Sequence, residues 1–164
     1  MDLSKTDFRL LDALQEDCRQ SLKELSRKLK LPSSTVHGKI KKLEQEKVIE
    51  SYSAVVDAEK LGENVTVFVV SQVAGMETGK VFKPRDIAQQ LARLPYVLEC
   101  HVVTGQYDLL MKIKGRNMKE IGSLIMDQVS IIPGIRNTQT MEAFFTAKET
   151  PAIDLSQYEK SLQK

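Results

Sequence analysis

The chain has 164 residues, 41% of them hydrophobic and 28% charged, which is enough apolar material for one domain or two small ones and too much for a disordered chain. No apolar run approaches the roughly 18–20 residues of a membrane span; Met1–Phe8 does not resemble a secretion signal, and Cys18 and Cys100 have no C-x-x-C spacing, so the expectation is a cytoplasmic protein with two buried free thiols. The net charge of +2 hides a local excess: Met1–Cys18 carries two basic and five acidic residues, Arg19–Lys47 nine basic and three acidic, and a field so concentrated suits either a polyanion-binding surface or a solvated helical face.

Ser4-Lys5-Thr6-Asp7 has capping-box spacing and opens a first helix, with Leu11, Leu14 and Cys18 as its stripe and Leu10 beside them. Ser21-Leu22-Lys23-Glu24 repeats the box and starts a short second helix with Leu22, Leu25 and Leu29 inward. Lys30-Leu31-Pro32 breaks it, because proline biases the preceding residue away from the helical region. A third helix runs from about Ser33 to Glu46 on Val36, Ile40 and Leu43. A short helix, a tight turn and a longer helix form the helix-turn-helix arrangement.

The outer side of the third helix carries Ser34, His37, Gly38 and Lys41, flanked by Ser33, Thr35 and Lys42. Short hydrogen-bonding groups can reach base edges in a major groove, while cations at the margins neutralise phosphates. An ordinary surface helix is also polar outside; the coincidence with the turn and the local charge favours DNA. The candidate DNA-binding residues are Arg27, Ser33, Ser34, Thr35, His37, Gly38, Lys39, Lys41 and Lys42, with Lys23 a further phosphate neighbour. A metal role for His37 is not expected, since His101 is the only other histidine.

Val48–Val56 is rich in β-branched residues and predicts an extended linking strand, followed by a turn at Lys60–Asn64. The remainder reads β-α-β-β-α-β: a strand at Val65–Val73, a loop at Met76–Lys83 and a helix at Pro84–Leu94 on Ile87, Leu91 and Leu94. Strands at Val97–Val103 and Leu109–Lys114 follow, then a helix capped by Asn117 with Met118, Ile121 and Ile125 inward, and a last strand at Ile135–Ala147. The fold class is α+β: a three-helix helix-turn-helix domain at 1–52, a linker strand and turn at 53–63, a ferredoxin-like domain at 64–148 and a tail at 149–164. A sheet with helices on one face should alternate apolar and polar, whereas Val65–Val70 is apolar but for Thr66. A second copy of the chain is the simplest cover for the other face, which predicts a homodimer.

Thr104-Gly105-Gln106-Tyr107-Asp108 joins the two middle strands. Its backbone N–H groups can face a carboxylate, Asp108 can pair with an ammonium and Gln106 can select a polar side chain, a set suited to a free amino acid. An ordinary hairpin turn, with Asp108 bonded to nearby backbone, accounts for the same residues. Thr138, Thr140 and Met141 on the last strand are candidates to line the same pocket. No nucleophile–base pair, phosphate loop or metal set is present in the sequence, so neither cofactor nor catalytic residue is expected.

Taken with their order, Asp7-Phe8-Arg9-Leu10-Leu11, Ser33 to Glu44, Val48-Ile49 with Tyr52, Thr104 to Leu109, Pro133-Gly134-Ile135 and Thr138-Gln139-Thr140 resemble the Lrp/AsnC family of feast/famine regulatory proteins. The resemblance implies a winged-helix-like DNA-binding domain, an effector-binding domain often responsive to amino acids, and dimers that assemble into tetramers or octamers on double-stranded DNA. Three positions depart from the family pattern: Pro32 replaces a capping Ser, Lys39 replaces Arg, and Lys47 replaces Gly. Two other classes compete, a ligand-independent architectural DNA-binding protein and a tetrapyrrole-modifying enzyme of similar domain arrangement. For the enzyme, His101, Arg85, Arg93, Arg116 and Arg136 are scattered rather than clustered.

Overall fold

A computed structural model describes residues 3–156 and 158. The chain divides into a helical unit, running to Val55 and resumed at Lys148, and an α+β unit spanning Val56–Ala147. Part of the predicted tail, residues 157 and 159–164, lies outside the described residues.

The helical unit contains α1 (Lys5–Glu16), α2 (Leu22–Leu29) and α3 (Ser33–Gln45). Both predicted capping boxes form: Ser4 with Asp7, and Ser21 with Glu24, each closing backbone and side-chain bonds reciprocally. The core is Leu10, Ala13, Leu25, Leu29, Val36 and Leu43, with Leu11, Leu14 and Ile40 packed against it. The stripe of α1 is therefore centred on Leu10 and Ala13, not on Leu11, Leu14 and Cys18. Cys18 is exposed, which corrects the expectation of a buried thiol: the helix stops at Glu16 and Asp17 is extended at φ −155°, so Cys18 falls in the next turn. Cys100 is half-buried, and burial pushes its thiol up. Leu22, also predicted inward, is 39% exposed because it opens the first turn of α2.

Lys30 and Lys47 end α2 and α3 in the left-handed region, at φ 55° and 54°. In each case the following amide reaches back five residues, Leu31 N–H to Ser26 O at 3.1 Å and Val48 N–H to Leu43 O at 2.9 Å, which is the Schellman closure normally given to glycine. The predicted strand at Val48–Val56 does not form: residues 50–57 pair with no strand, and Val55 and Val56 are exposed. A β-branched run needs a partner for its ladder, and among the described residues it has none. Tyr52 Oη instead donates to Glu44 Oε1 at 3.0 Å, fastening the connector to α3.

The α+β unit holds β1 (Val65–Val73), a small hairpin β2–β3 (Met76–Glu77, Lys80–Val81), α4 (Pro84–Leu91), β4 (Val97–Val102), β5 (Leu109–Gly115), α5 (Met118–Leu124), a π-helical turn at Ile125–Val129, and β6 (Ile135–Glu142). The hairpin occupies the segment predicted as loop, and β6 stops short of Ala147. The four-stranded sheet has order β4-β5-β1-β6, every pair antiparallel, which is the ferredoxin-like topology. Val67, Val69, Leu109, Met111 and Ile113 meet Ile87, Leu91, Ile121 and Val129 in one core. Register puts Phe68 opposite Lys112 and Met141, and Val70 opposite Leu110 and Gln139, on the other face. Lys112 there pairs with Glu99 at 3.0 Å. That face is an apolar strip with charges beside it.

Candidate functional site

Burial of Val36 and Leu43 sets the rotation of α3. It turns Ser33, Ser34, Thr35, His37, Gly38, Lys41 and Lys42 to solvent, and Arg27 on α2 is exposed as well. Lys42 lies 3.9 Å from Glu46 with both side chains open to water, a pairing weak enough to yield to a phosphate.

The N-terminus of α3 differs from those of α1 and α2. Pro32 stands at its N-cap and offers no side-chain bond, and the first backbone bond is Val36 N–H to Pro32 O at 3.1 Å. Among the described residues nothing accepts from the amides of Ser33, Ser34 and Thr35, which stand at the positive end of the helix, where an anion is favoured. Gly38 lies in mid-helix, where glycine costs about 0.5–1 kcal/mol relative to alanine, yet a Cβ there would meet nothing within 4 Å. Internal packing does not call for a glycine. The bare position lets an outside surface approach the backbone.

Lys39 does not join this face. Its Nζ lies 2.8 Å from Asp7 Oδ1 and 3.4 Å from Ser4 Oγ, with only 27% of its side chain exposed. The spacing contains the signal, because Lys39 follows Val36 by three residues and precedes Leu43 by four, on the inner stripe. Burial pushes the Asp7 carboxyl up, but the hydrogen bonds from Lys39 and Ser4 outweigh it and hold the group below the ordinary range.

In the α+β unit the Thr104–Asp108 loop is tied to β1 and β6. Gly105 takes φ 124°, a conformation other residues rarely adopt. Asp108 donates its N–H to Ser71 O at 3.0 Å, and its Oδ2 accepts from Val73 N–H at 2.7 Å. Gln72 Nε2 donates to Gln106 O at 2.9 Å and accepts at Oε1 from Asn137 Nδ2 at 2.5 Å, while Tyr107 Oη donates to Gln139 Oε1 at 2.6 Å. Asp108 thus does what an ordinary turn requires with one oxygen.

The three β6 residues separate. Thr140 is opposite Val69 on the helix-covered side and Thr138 Oγ1 lies 3.2 Å from the buried Ser71 Oγ, whereas Met141 is opposite Phe68 on the open side. Thr138 and Thr140 therefore do not share a face with Met141. Gln72 and Asn137 are absent from the sequence reading, and Gln139 enters it only within the Thr138–Thr140 motif and not as a site residue; strand alternation could have found Gln139, the polar residue between the two threonines. Among the described residues no group of three His, Cys, Asp or Glu side chains could hold a metal ion, and no helix is long and apolar enough to cross a membrane.

Residues 3–50 match a family model for winged helix-turn-helix DNA-binding domains, and residues 66–153 match the Lrp/AsnC ligand binding domain. The chain is 37% identical over 147 residues to the HTH-type transcriptional regulator PH1916 of Pyrococcus horikoshii, covering 90% of this chain and 96% of the relative. It is 33% identical over 153 residues to the regulator FL11 of the same organism, covering 93% and 97%. A Neisseria meningitidis transcriptional regulator, NMB0573, solved as its L-Met complex, superposes with a TM-score of 0.87 at 24% identity over 96% of this chain and 99% of the other. Escherichia coli AsnC superposes at 0.80 and 20% identity, over 93% and 99%. These relatives are regulators rather than enzymes, and with both domains matched in order the chain belongs to the Lrp/AsnC family of DNA-binding transcriptional regulators.

Proposed function

We propose that this regulator binds duplex DNA in the cytoplasm as a dimer, with α3 in the major groove, and that its ligand-binding domain responds to a free amino acid. The observation that carries the DNA contact is the combination on α3 of uncapped N-terminal amides, a bare position at Gly38 and short exposed polar side chains. Ser34, Thr35, His37 and Gly38 read bases; Arg27, Lys41 and Lys42 face phosphates, with Ser33 at the helix start. Three phosphates per subunit make about six per dimer, so affinity falls about a thousandfold between 50 and 200 mM salt. Fluorescence anisotropy with a labelled duplex across that range tests it; a flat salt response defeats the electrostatic assignment.

The apolar strip of Phe68, Val70, Leu110 and Met141 supports pairing of two sheets, from which tetramers or octamers are built. Sedimentation of a Phe68→Asp variant as a monomer is the expected outcome. For the effector, Thr104, Gly105, Gln106, Tyr107 and Asp108 supply the polar groups, with Thr138 and Thr140 behind them. The meningococcal regulator of the same fold is an L-Met complex, which supports an amino acid as the ligand class. A thermal-shift screen of the twenty amino acids, repeated on Asp108→Ala, tests this; no shift in the wild type ends the sensor reading. The use of Asp108 Oδ2 on Val73 N–H favours the second reading, an architectural protein without effector. The same screen separates the two.

A further inference from the structure

Phe8 is 9% exposed, yet it stands outside the cluster that forms the helical core. Its ring is stacked on that of Tyr158, with centroids 5.8 Å apart and planes inclined by 17°. Seven residues further along the same face of α1, Gln15 gives both ends of its amide to one backbone unit: Nε2 donates to Ile153 O at 3.0 Å, and Oε1 accepts from Ile153 N–H at 2.8 Å. A side-chain amide here pairs with the backbone as a neighbouring strand would. Local bonds shape the segment around these anchors, Ala152 N–H to Thr150 Oγ1 and Ser156 N–H to Asp154 Oδ1, each at 3.0 Å. The segment runs antiparallel to α1 and is fastened toward both ends of that helix.

The chain passes between its two units twice, at Val55–Val56 and at Ala147–Lys148. The second passage starts directly from β6: Ala143 N–H, just beyond the strand, still donates to Thr66 O at 2.9 Å. Residues 144–149 are all that separate this last sheet bond from Thr150, a reach of at most about 20–25 Å.

We propose that residues 150–156 with Tyr158 are an internal strap, that the Phe8–Gln15 face of α1 is its docking surface, and that the strap couples the last strand of the ligand-binding domain to the DNA-binding unit. The connector at 50–57 has no ladder bonds of its own and is held to α3 through Tyr52; the strap supplies a second link. Coupling is reciprocal: whatever shifts the end of β6 changes occupancy of α1, and release from α1 loosens the end of β6.

Amide exchange by NMR on the full-length protein tests this without DNA or effector. In the wild type, Ile153 N–H exchanges at least about threefold more slowly than in an unstructured peptide. In Gln15→Ala and in a chain ended after Glu149, the amide of Ala143, which donates to Thr66 O, exchanges several-fold faster, while those of Leu25 and Val36 keep their protection. Tyr158→Ala leaves α1 unaltered, so it gives the same readout should Gln15→Ala disturb the helix. An Ile153 amide exchanging at the peptide rate in the wild type overturns the strap. Release of Ile153 with no change at Ala143 overturns the coupling.

Discussion

Replacing Lys39 by alanine separates a cation that holds the protein together from one that holds DNA. The ammonium sits 2.8 Å from Asp7 Oδ1, with the two side chains 27% and 14% exposed. That is drier than the exposed pairs worth up to about 1 kcal/mol, but well short of a buried pair whose disruption costs about 3–5 kcal/mol. Asp7 keeps its bonds from Ser4 N–H and Oγ, at 2.9 and 2.5 Å, which offset part of the loss. Lys39→Ala should therefore cost about 1–2 kcal/mol in urea unfolding at neutral pH. The Asp7 carboxyl is held below its ordinary 3.8, so its contribution is complete above that value and is lost as pH falls through the lower, folded-state value. The gap between wild type and variant should accordingly be widest near neutrality, begin to narrow as pH approaches the ordinary 3.8, and close only below the lowered folded-state value. In DNA titrations the slope of log K against log salt should not change for Lys39→Ala, whereas Lys41→Ala, on the proposal that each subunit of a dimer sets this lysine on one phosphate, should flatten it by about 1.8. A Lys39→Ala variant with unaltered stability and a slope flattened like that of Lys41→Ala would refute the assignment.

Gly38→Ala should raise helical stability by about 0.5–1 kcal/mol, measured by urea unfolding, and weaken duplex affinity, because the methyl group occupies the side left open for the groove. Lys47→Gly should stabilise the helical unit by about 1 kcal/mol, since a lysine at φ 54° is strained where glycine is not; its salt slope should stay that of the wild type. Gly134→Ala should lower stability by at least about 2 kcal/mol in the same assay, because the new Cβ would lie 2.6 Å from the Phe82 ring at a backbone φ of 93°.

What the sequence disclosed was mostly local. Both capping boxes depend on four consecutive residues, and both formed; β1 needed only its own apolar run. Asn117 likewise accepts from Glu120 N–H at 2.9 Å, as a cap should. Errors arose where a partner had to be supplied from elsewhere in the chain. Val48–Val56 has the composition of a strand and nothing to pair with, and Cys18 continues a helical period beyond the residue at which the helix stops. Thr138, Thr140 and Met141 lie near one another in sequence, but alternation along β6 assigns them to two faces. For the candidate DNA-binding face, the sequence carries residue type but not side-chain direction: Lys39, Lys41 and Lys42 look alike in a charge count, and only the period of Val36 and Leu43 sets the first apart.

Asp7 also shows why α1 matters to a site that it does not form. One carboxylate closes the capping box at the start of α1 and accepts the ammonium of Lys39 from the middle of α3. The placement of α3 is thus referenced to the first turn of α1 rather than to the solvated residues proposed to meet DNA. Phe8, the next residue, receives the stacked ring of Tyr158, and Gln15 near the other end of the helix takes the backbone of Ile153. Consecutive residues of α1 therefore point one toward α3 and one toward the C-terminal segment. A shift of α1 by even part of a turn would disturb both, because hydrogen bonds of 2.8–3.0 Å tolerate little displacement. The helix that carries none of the candidate DNA contacts is the one through which the position of α3 and the state of the strap are joined.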